Sequence, residues 1–298
     1  MIQKYKYFHK LEDFLHSPQN SFTKLNIALS NKQIGDYGIF QLSSALANYI
    51  NMTYLKLEIQ WNKIGDIGIT GLGSAFQNHS NLTSLELQVK DNNIGQQGAS
   101  NLISPLSNYN QLNNLQINVG WNNIQAKGLS DIAQTLSCCF SLQKLALWAF
   151  NNNIGDQGLT DLSISLANCK NLKILHIELG SNNISDQSIT ALGLAFVQLY
   201  NIYSLNLSLQ WNIISDYGIS QLGLALSQCL CLRILQLTAN DCSIGDQGVQ
   251  DLISALQKCN KLSILKLELQ GKEILHEQKY ISKFKKIKRL VEQYIQLV

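Results

Sequence analysis

The sequence predicts an α/β solenoid, in which one strand–turn–helix unit recurs along the chain, with a parallel sheet on one side and helices on the other. Three observations support this fold class. An isoleucine returns every 30 residues without insertion or deletion, from Ile34 to Ile244, and a fixed period of this size indicates a repeat array. The first half of each period alternates apolar and polar residues, as a strand does. The second half places leucines four residues apart, on one face of a helix.

Residues 1–20 precede the first repeat. Four apolar residues have the spacing of one helix face, and a Ser-Pro pair that would end a helix follows them. The four are Phe8, Leu11, Phe14 and Leu15. Because a solenoid needs its open end covered, we predict an N-terminal capping helix here. A loose terminal tail is the alternative.

Residues 21–270 hold eight full repeats and a ninth strand. In the second repeat, Leu55, Leu57 and Ile59 alternate with polar residues, which predicts one face in the core and one in solvent. An asparagine follows most strands, and a buried amide can satisfy the backbone groups of a turn. Stacked repeats would then form a ladder of amides. Its members are Asn62, Asn92, Asn122, Asn152, Asn182 and Asn212.

The helical half of a repeat begins with Ile-Gly-Asp-x-Gly. We interpret the aspartate as the helix N-cap and the second glycine as room for packing the helix on the strand. The aspartates are Asp36, Asp66, Asp156, Asp186, Asp216 and Asp246. Gln96 and Ala126 replace the aspartate in the third and fourth repeats. Pro105 should kink the third helix or end it early.

Residues 271–298 break the period. Apolar residues from Ile281 to Val298 trace one face of a longer helix, and basic residues crowd the other face between 279 and 289. We predict a basic amphipathic capping helix. Two alternatives stay open for the basic face, namely a nuclear-import run and a contact of residues 279–289 with an anionic membrane.

Composition and charge limit the kinds of protein and partner that the sequence is compatible with. The chain of 298 residues is 45% apolar and 14% charged, so a folded chain is expected. The net charge of +3 comes from residues 271–298, which hold seven Lys/Arg and three Asp/Glu. The nearly neutral remainder does not favour nucleic acid as a partner. The start lacks the apolar core of a signal peptide, and no apolar run is long enough for a transmembrane helix.

The cysteines point to a reducing compartment. Four of the seven recur at one place in their repeats and are interpreted as small core residues. These are Cys139, Cys169, Cys229 and Cys259. No CxxC pair and no Cys/His spacing suits zinc. We therefore expect free thiols, no metal and no cofactor, and a cytoplasmic location with a nuclear one as the alternative.

The repeat Leu-x-x-Leu-x-Leu-x-Leu-x-x-Asn-x-Ile-Gly-Asp resembles a leucine-rich repeat. Its helical half, as in Ile64-Gly65-Asp66-Ile67-Gly68, is similar to the ribonuclease-inhibitor-like class, which includes the Ran GTPase-activating protein. The resemblance implies a horseshoe with the parallel sheet on the concave face and the helices on the convex face. It also implies that protein partners bind the concave face.

The fifth strand carries the most unusual outward residues. Most outward strand positions are polar, such as Glu58, His176 and Glu178, whereas the fifth strand presents Trp148 and Phe150. Exposed aromatic residues on a concave face are typical of interface hot spots. A bulge that buries one of them is the alternative.

A second aromatic set precedes the ladder asparagine. Trp61, Trp121 and Trp211 hold a position where other repeats have Asp, Asn or Ser. A position that accepts both Trp and Asp should lie on the surface, so we expect these residues along one rim of the concave face. Packing over the turn is the alternative.

No catalytic motif occurs. The carboxylates of Glu58 and Glu86 could lie close together, but Lys56 should lie beside Glu86, so a cross-strand ion pair is expected rather than an acid pair. We predict a non-enzymatic module that binds a protein partner through Trp148, Phe150, Trp61, Trp121, Trp211, Glu58, Glu178 and His176, with no small-molecule substrate. The alternatives are a regulatory protein of the Ran GTPase-activating kind, by fold analogy, and a scaffold that contacts a membrane or the nucleus through its basic C-terminal helix.

Overall fold

The computed structural model describes residues 5–18, 22–270, 274–285, 287 and 290–297. The chain forms two compact units, Met1–Asn152 and Asn153–Val298. Each unit is an α/β leucine-rich-repeat solenoid, in which a parallel strand alternates with a helix, as the sequence predicted.

The first unit contains six strands that pair in chain order and in parallel. Its strands are β1 Tyr5–Phe8, β2 Lys24–Ala28, β3 Tyr54–Glu58, β4 Ser84–Gln88, β5 Asn114–Asn118 and β6 Lys144–Trp148. Its helices are α1 Leu11–Leu15, α2 Gly35–Leu46, α3 Asp66–Phe76, α4 Gln96–Ile103, a 3-10 helix Ser104–Asn108 and α5 Gln125–Ser137.

The second unit repeats the same plan with five parallel strands in chain order. Its strands are β7 Ile174–Glu178, β8 Ser204–Ser208, β9 Ile234–Thr238, β10 Ile264–Leu269 and β11 Glu292–Leu297. Its helices are α6 Gly155–Leu166, α7 Asp186–Val197, α8 Asp216–Ser227, α9 Asp246–Leu256 and α10 Glu277–Lys285.

The strand register stacks identical positions of successive repeats. Leu25 pairs with Leu55, and Leu55 with Leu85, so the inward leucines form continuous columns with no exposed surface. The alternate residues of β2–β5 and β7–β10 stay at least partly exposed, whereas Ala146 of β6 is buried. This period-two pattern confirms the prediction that one face of these strands lies in the core and the other faces solvent.

The N-terminal segment is more than a capping helix. A helix is present at α1, with Phe14 buried, but the strand β1 precedes it and pairs in parallel with β2. The expectation of a helix alone was wrong because Phe8 is inward on a strand, where its ring meets that of Phe14 at 5.2 Å. Residues 1–4 and 19–20 lie outside the described part.

The C-terminal segment is not one helix. α10 buries Tyr280 and Phe284, and the chain then forms β11, which pairs in parallel with β10. The prediction of one amphipathic helix was wrong, because pairing satisfies the backbone groups of β10, which would otherwise lie at an open edge. Lys286, Lys288, Arg289 and Val298 of the predicted helix lie outside the described residues.

The asparagine ladder is confirmed. Asn62 is buried, its Oδ1 accepts from Lys32 N at 2.9 Å, and its Nδ2 donates to Leu29 O at 2.8 Å and to Ile59 O at 2.9 Å. One amide thus satisfies backbone groups of its own repeat and of the preceding one. Cys242 holds this position in the eighth repeat, where its Sγ lies 3.5 Å from Leu209 O.

The recurring aspartates have a different partner from the one expected. Each lies in the first turn of its helix, but its carboxylate accepts from a backbone N–H in the next repeat, as Asp36 Oδ1 does from Gly65 N at 2.7 Å. The N-cap prediction is therefore wrong about the group that the carboxylate binds, because this N–H belongs to the next repeat and not to the aspartate's own helix. The same bond links four further pairs at 2.6, 2.8, 2.8 and 2.7 Å: Asp66 with Gly95, Asp156 with Ser185, Asp186 with Ser215, and Asp216 with Gly245.

The aspartate decides the conformation of the turn that follows it. Where the residue 29 positions earlier is aspartate, the residue before the helix is extended and donates to that carboxylate. Where it is another residue, the backbone is left-handed, with φ 55° at Gly35, 56° at Gln125 and 61° at Gly155. Those three N–H groups donate to the carbonyl of the next ladder asparagine instead.

The second glycine of the motif makes room for the same carboxylate rather than for helix–strand packing alone. A Cβ built on Gly218 would lie 2.2 Å from Asp186 Oδ1. The sixth repeat has Ser188 in this place, and its hydroxyl donates to Asp156 Oδ1. Pro105 acts as predicted, because α4 stops at Ile103 and a 3-10 helix follows.

Candidate partner-binding surface

The outward residues of the fifth repeat lie where the alternation placed them. Ala149 has no exposed surface, so no bulge turns it outward. Trp148 and Phe150 flank it on the solvent side of the sheet, and both are half-buried. Each of the two side chains therefore keeps part of its surface exposed on that side.

A group of aromatic residues crosses several repeats of the first unit. Trp121 and Phe150 stack with their ring centroids 5.1 Å apart. Lys90 Nζ lies 6.0 Å from the ring centroids of both Trp61 and Trp121. Distances of this size allow cation–π attraction. We call Trp61, Lys90, Trp121 and Phe150 the aromatic cluster.

Asp91 anchors one end of the aromatic cluster. Trp61 Nε1 donates a hydrogen bond to Asp91 Oδ2 at 3.0 Å. Trp61, Asp91 and Trp121 occupy the same position in three successive repeats. The aspartate therefore lies between the two tryptophans. The two tryptophans keep 47% and 45% of their surface exposed.

The backbone at this position is left-handed in every repeat. The angle φ is 59° at Trp61, 55° at Trp121 and 56° at Trp211, and it is similar where Asp, Asn or Ser stands. Asn and Asp tolerate this region, whereas a bulky residue is disfavoured there by about 1 kcal/mol or more. Because the exposed rings contribute little to the core, backbone strain of this kind points to a role outside folding.

Lys56 forms an ion pair with Glu58 and not the expected cross-strand pair with Glu86. The register does place Lys56 opposite Glu86. The Lys56 ammonium instead lies 2.8 Å from Glu58, two residues along its own strand. Glu86 accepts from the Tyr54 hydroxyl at 3.4 Å. Burial and the Glu86 carboxylate raise the pKa of Tyr54 to about 12, so this phenol stays protonated.

The three remaining predicted residues belong to the second unit. Trp211 is 53% exposed in the turn after β8. His176 and Glu178 are half-buried on the outer face of β7. Burial lowers the pKa of His176, which favours a neutral imidazole. The structure thus gathers three of the predicted aromatic residues, Trp61, Trp121 and Phe150, in the first unit.

Two kinds of arrangement are absent from the described part of the chain. No group of three or more His, Cys, Asp or Glu is arranged to hold a metal ion there. None of the described helices is both long and apolar enough to cross a membrane. The seven cysteines are free thiols, and Cys139, Cys169, Cys229 and Cys259 are buried as predicted.

Sequence comparison identifies the class of protein. A family described as "Leucine Rich repeat" matches residues 51–73 and 111–133, which include strands and helix starts of the first unit. Together with the repeated strand–turn–helix geometry, this match makes the chain a leucine-rich repeat protein. No curated protein is similar enough to the chain to count as a match.

Two solved structures are similar to the chain at low sequence identity. Leiomodin-1 Actin-Binding Site 2 is 19% identical with a TM-score of 0.37, and the match covers 46% of this chain and 76% of that one. An internalin (inlF) from Listeria monocytogenes is 18% identical with a TM-score of 0.40, over 92% of this chain and 80% of that one. Likenesses this weak carry no conclusion about partners.

Lys90 and Asp91 were missed by sequence reasoning. They precede Asn92 as Gln60 and Trp61 precede Asn62, so the period did contain the signal. Their joint effect depends on how the long Lys90 side chain reaches the rings of two neighbouring repeats. That reach is a rotamer choice, which the 30-residue period does not specify.

Proposed function

We propose that the protein is a non-enzymatic binding module whose first unit holds a protein partner on the solvent side of its sheet. The aromatic cluster is the observation that carries this proposal. It offers three large rings and one cation in a continuous group. Aromatic residues are enriched at interface hot spots.

The backbone at the tryptophans supports the same function. Folding would favour Asn or Asp at a left-handed position, as at Asn31, Asp91 and Asn151. Tryptophan in this place weakens the fold slightly and gives exposed aromatic area in return. Trp148 lies on the same side of β6 and would extend the contact surface.

The remaining predicted contacts lie on the second unit. Trp211, His176 and Glu178 are proposed as a separate set of contacts, because only Trp211 repeats the exposed, left-handed tryptophan. Free buried thiols support a reducing compartment, either cytoplasmic or nuclear. Activity of the Ran GTPase-activating kind rests on the family resemblance alone.

The test uses affinity capture from the native cell, read by mass spectrometry, and compares one double variant and one single control variant with the wild-type chain. Trp121→Asn with Phe150→Gln removes two rings of the aromatic cluster and installs residues that the chain itself uses at these positions, at Asn151 and Gln60. We expect the captured partner to be lost or its Kd to rise at least about tenfold, since hot-spot residues each contribute on the order of 1–2 kcal/mol or more.

The matched control is Ile67→Gln. Ile67 is 84% exposed on a helix of the same unit, and Gln97 and Gln157 hold its position in other repeats. This variant removes a comparable apolar surface far from the aromatic cluster, so capture should be unchanged. Equal affinity of the double variant and the wild-type chain would disprove the proposed surface.

A further inference from the structure

The second unit concentrates its positive charges at one end of its strands. Residues 153–270 hold six Lys/Arg and nine Asp/Glu. Five of the six cations lie in three of the short loops that lead from a helix to the next strand. They are Lys170, Lys173, Arg233, Lys258 and Lys261. None of the nine carboxylates lies in these loops, which we call the basic edge: residues 168–173, 198–203, 228–233 and 258–263.

The repeat itself does not require these cations. The equivalent loops of the first unit are residues 48–53, 78–83, 108–113 and 138–143, and they contain no Lys, Arg, Asp or Glu. Cations are favourable at helix C-termini, but four helices of the first unit end in such loops without one. The basic edge therefore has a reason beyond folding.

Three cations of the basic edge, Arg233, Lys258 and Lys261, are available to a ligand. All five are exposed. Within the described residues, no ion pair involves Arg233, Lys258 or Lys261. Lys170 lies over the ring of Tyr200, with 5.2 Å between its Nζ and the ring centroid. One carboxylate, that of Glu292, starts β11 beside Ile264, and it leaves the edge with a large positive excess.

Apolar side chains project from the same loops. Tyr200 is 64% exposed and Leu230 is 79% exposed, and they hold equivalent positions in successive repeats. The position also holds Ile50 and Phe140 in the first unit, so the apolar residues alone do not distinguish the basic edge. Their combination with cations does, because a lipid interface takes up both apolar tips and positive charge.

A cavity of about 490 Å³ opens at the basic edge. Arg233 and Lys261 line it together with Ser263, and Tyr203, Ile234 and Ile264 provide apolar walls. A guanidinium beside an ammonium suits a phosphate group. The apolar walls suit the adjoining part of an amphipathic molecule. The cavity is thus shaped for a phosphorylated headgroup rather than for a free inorganic ion.

We propose that the basic edge of the second unit docks on an anionic phospholipid surface, with Leu230 and Tyr200 entering the interface and a lipid phosphate held by Arg233 and Lys261. Charge complementarity argues for this occupant. Each Lys or Arg close to an anionic bilayer contributes roughly 1 kcal/mol, so several on one edge suffice for reversible binding. This contact is distinct from the protein-binding surface proposed on the first unit.

The test is co-sedimentation of the full chain with vesicles of phosphatidylcholine and phosphatidylserine in equal parts, at low salt. We expect binding to these vesicles, release at high salt, and no binding to vesicles of phosphatidylcholine alone. Inorganic phosphate at matched ionic strength should not release the protein more than chloride does. Greater release by phosphate would assign the cavity to a free anion and overturn the proposal.

The edge variant is Lys173→Gln, Arg233→Gln and Lys261→Asn, which copies residues of the same loop positions at Gln143 and Asn171. We expect its vesicle partition to fall about tenfold or more. A second variant, Leu230→Asn, copies Asn260, keeps every charge and should weaken partition several-fold. Unchanged partition of Leu230→Asn would show that the vesicles attract the chain by charge alone, without entry of Leu230 into the interface, and would overturn the proposal.

Two controls locate the effect. Lys266→Gln removes the one cation of residues 153–270 that lies off the basic edge, and it should retain vesicle binding. Replacing every Lys and Arg of residues 279–289 with Gln tests the alternative C-terminal contact. Full binding by the edge variant, or loss of binding only in the 279–289 variant, would contradict the proposal. Far-ultraviolet circular dichroism and unchanged melting temperatures verify that each variant folds.

Discussion

At the scale of single residues, tryptophan occupies a backbone conformation that other residues adopt more easily. The position before the ladder asparagine is left-handed whatever the side chain, because the turn that follows each strand is built the same way. Trp61, Trp121 and Trp211 are therefore substitutions that the fold tolerates rather than requires. Stability and binding should respond in opposite directions when such a residue is changed.

Trp121→Asn alone tests this opposition. Asn151 holds the equivalent position with φ 53°, so asparagine fits without rearrangement. Relief of the left-handed strain should offset the lost contact with Phe150. We expect the free energy of unfolding to be unchanged or raised by up to about 1 kcal/mol, measured by urea denaturation, while affinity for the captured partner falls. A clear loss of stability would show that the ring packs for the fold and not for a partner.

At the scale of secondary-structure elements, neighbouring repeats are joined by a carboxylate as well as by backbone pairing. Asp156 of the fifth repeat accepts hydrogen bonds from Ser185 and Ser188 of the sixth. Partial burial by itself would raise the pKa of Asp156, but these hydrogen bonds outweigh it and hold the pKa below its usual value. The ionised carboxylate is thus part of the packing between α6 and α7.

Substitutions at Gly218 test whether that carboxylate explains the glycine. Alanine usually stabilises a helix relative to glycine, but here its methyl would meet Asp186 Oδ1. We expect Gly218→Ala to lower the free energy of unfolding by about 1–3 kcal/mol, from crowding of the carboxylate. Gly218→Ser should lose less, because its hydroxyl can donate to Asp186 as Ser188 does to Asp156. Thermal unfolding followed by circular dichroism ranks the three chains, and an alanine variant as stable as the wild-type chain would refute the explanation.

At the scale of the whole molecule, acid should destabilise the fold through one buried histidine. His79 has no exposed surface, its Nε2 lies 3.1 Å from Leu46 O, and its Nδ1 has no hydrogen-bond partner among the described residues. Burial lowers its pKa from 6.5 to about 4. Between these two values the unfolded chain binds a proton that the folded chain does not, so stability falls as the pH drops from 6.5 towards 4.

His79→Tyr should remove this part of the pH dependence. Tyr109 is buried at the equivalent position, and its hydroxyl donates to Phe76 O as the His79 ring does to Leu46 O. Urea denaturation between pH 7 and pH 4 should show about 3 kcal/mol less loss of stability in the variant than in the wild-type chain. Carboxylates titrate in both chains and cancel in the comparison. Parallel curves for the two chains would rule out His79 as the acid-sensitive group.

The period made most of the fold predictable. Strands, helices, the inward leucines and the asparagine ladder all follow from residues that recur at one place, because each occurrence repeats the same environment. The ends were less predictable, since β1 and β11 carry no such repeat and depend on the open edges of β2 and β10. The aspartate partners were missed because their hydrogen bonds join residues of different repeats, 29 positions apart.

The candidate site divides in the same way. Alternation along β6 gave the outward direction of Trp148 and Phe150. It did not give the Lys90 contacts or the choice of Glu58 over Glu86 by Lys56, because both depend on flexible side chains with more than one partner in reach. The residues at a binding surface depend on the partner as well as on the fold. The repeat pattern of the chain gives information about the fold and none about the partner.

Because of the aspartate link, a single repeat cannot be moved within the chain without a change in its structure. The conformation of its turn depends on a residue of the preceding repeat. A repeat that follows aspartate has an extended turn, and a repeat that follows Gln96 or Ala126 has a left-handed one. Moving the fifth repeat to a place behind Asp186 would therefore change the turn at Gly155 without changing any residue of the transplanted segment. An engineer who lengthens, shortens or shuffles this array has to cut it so that each turn keeps the residue 29 positions before it.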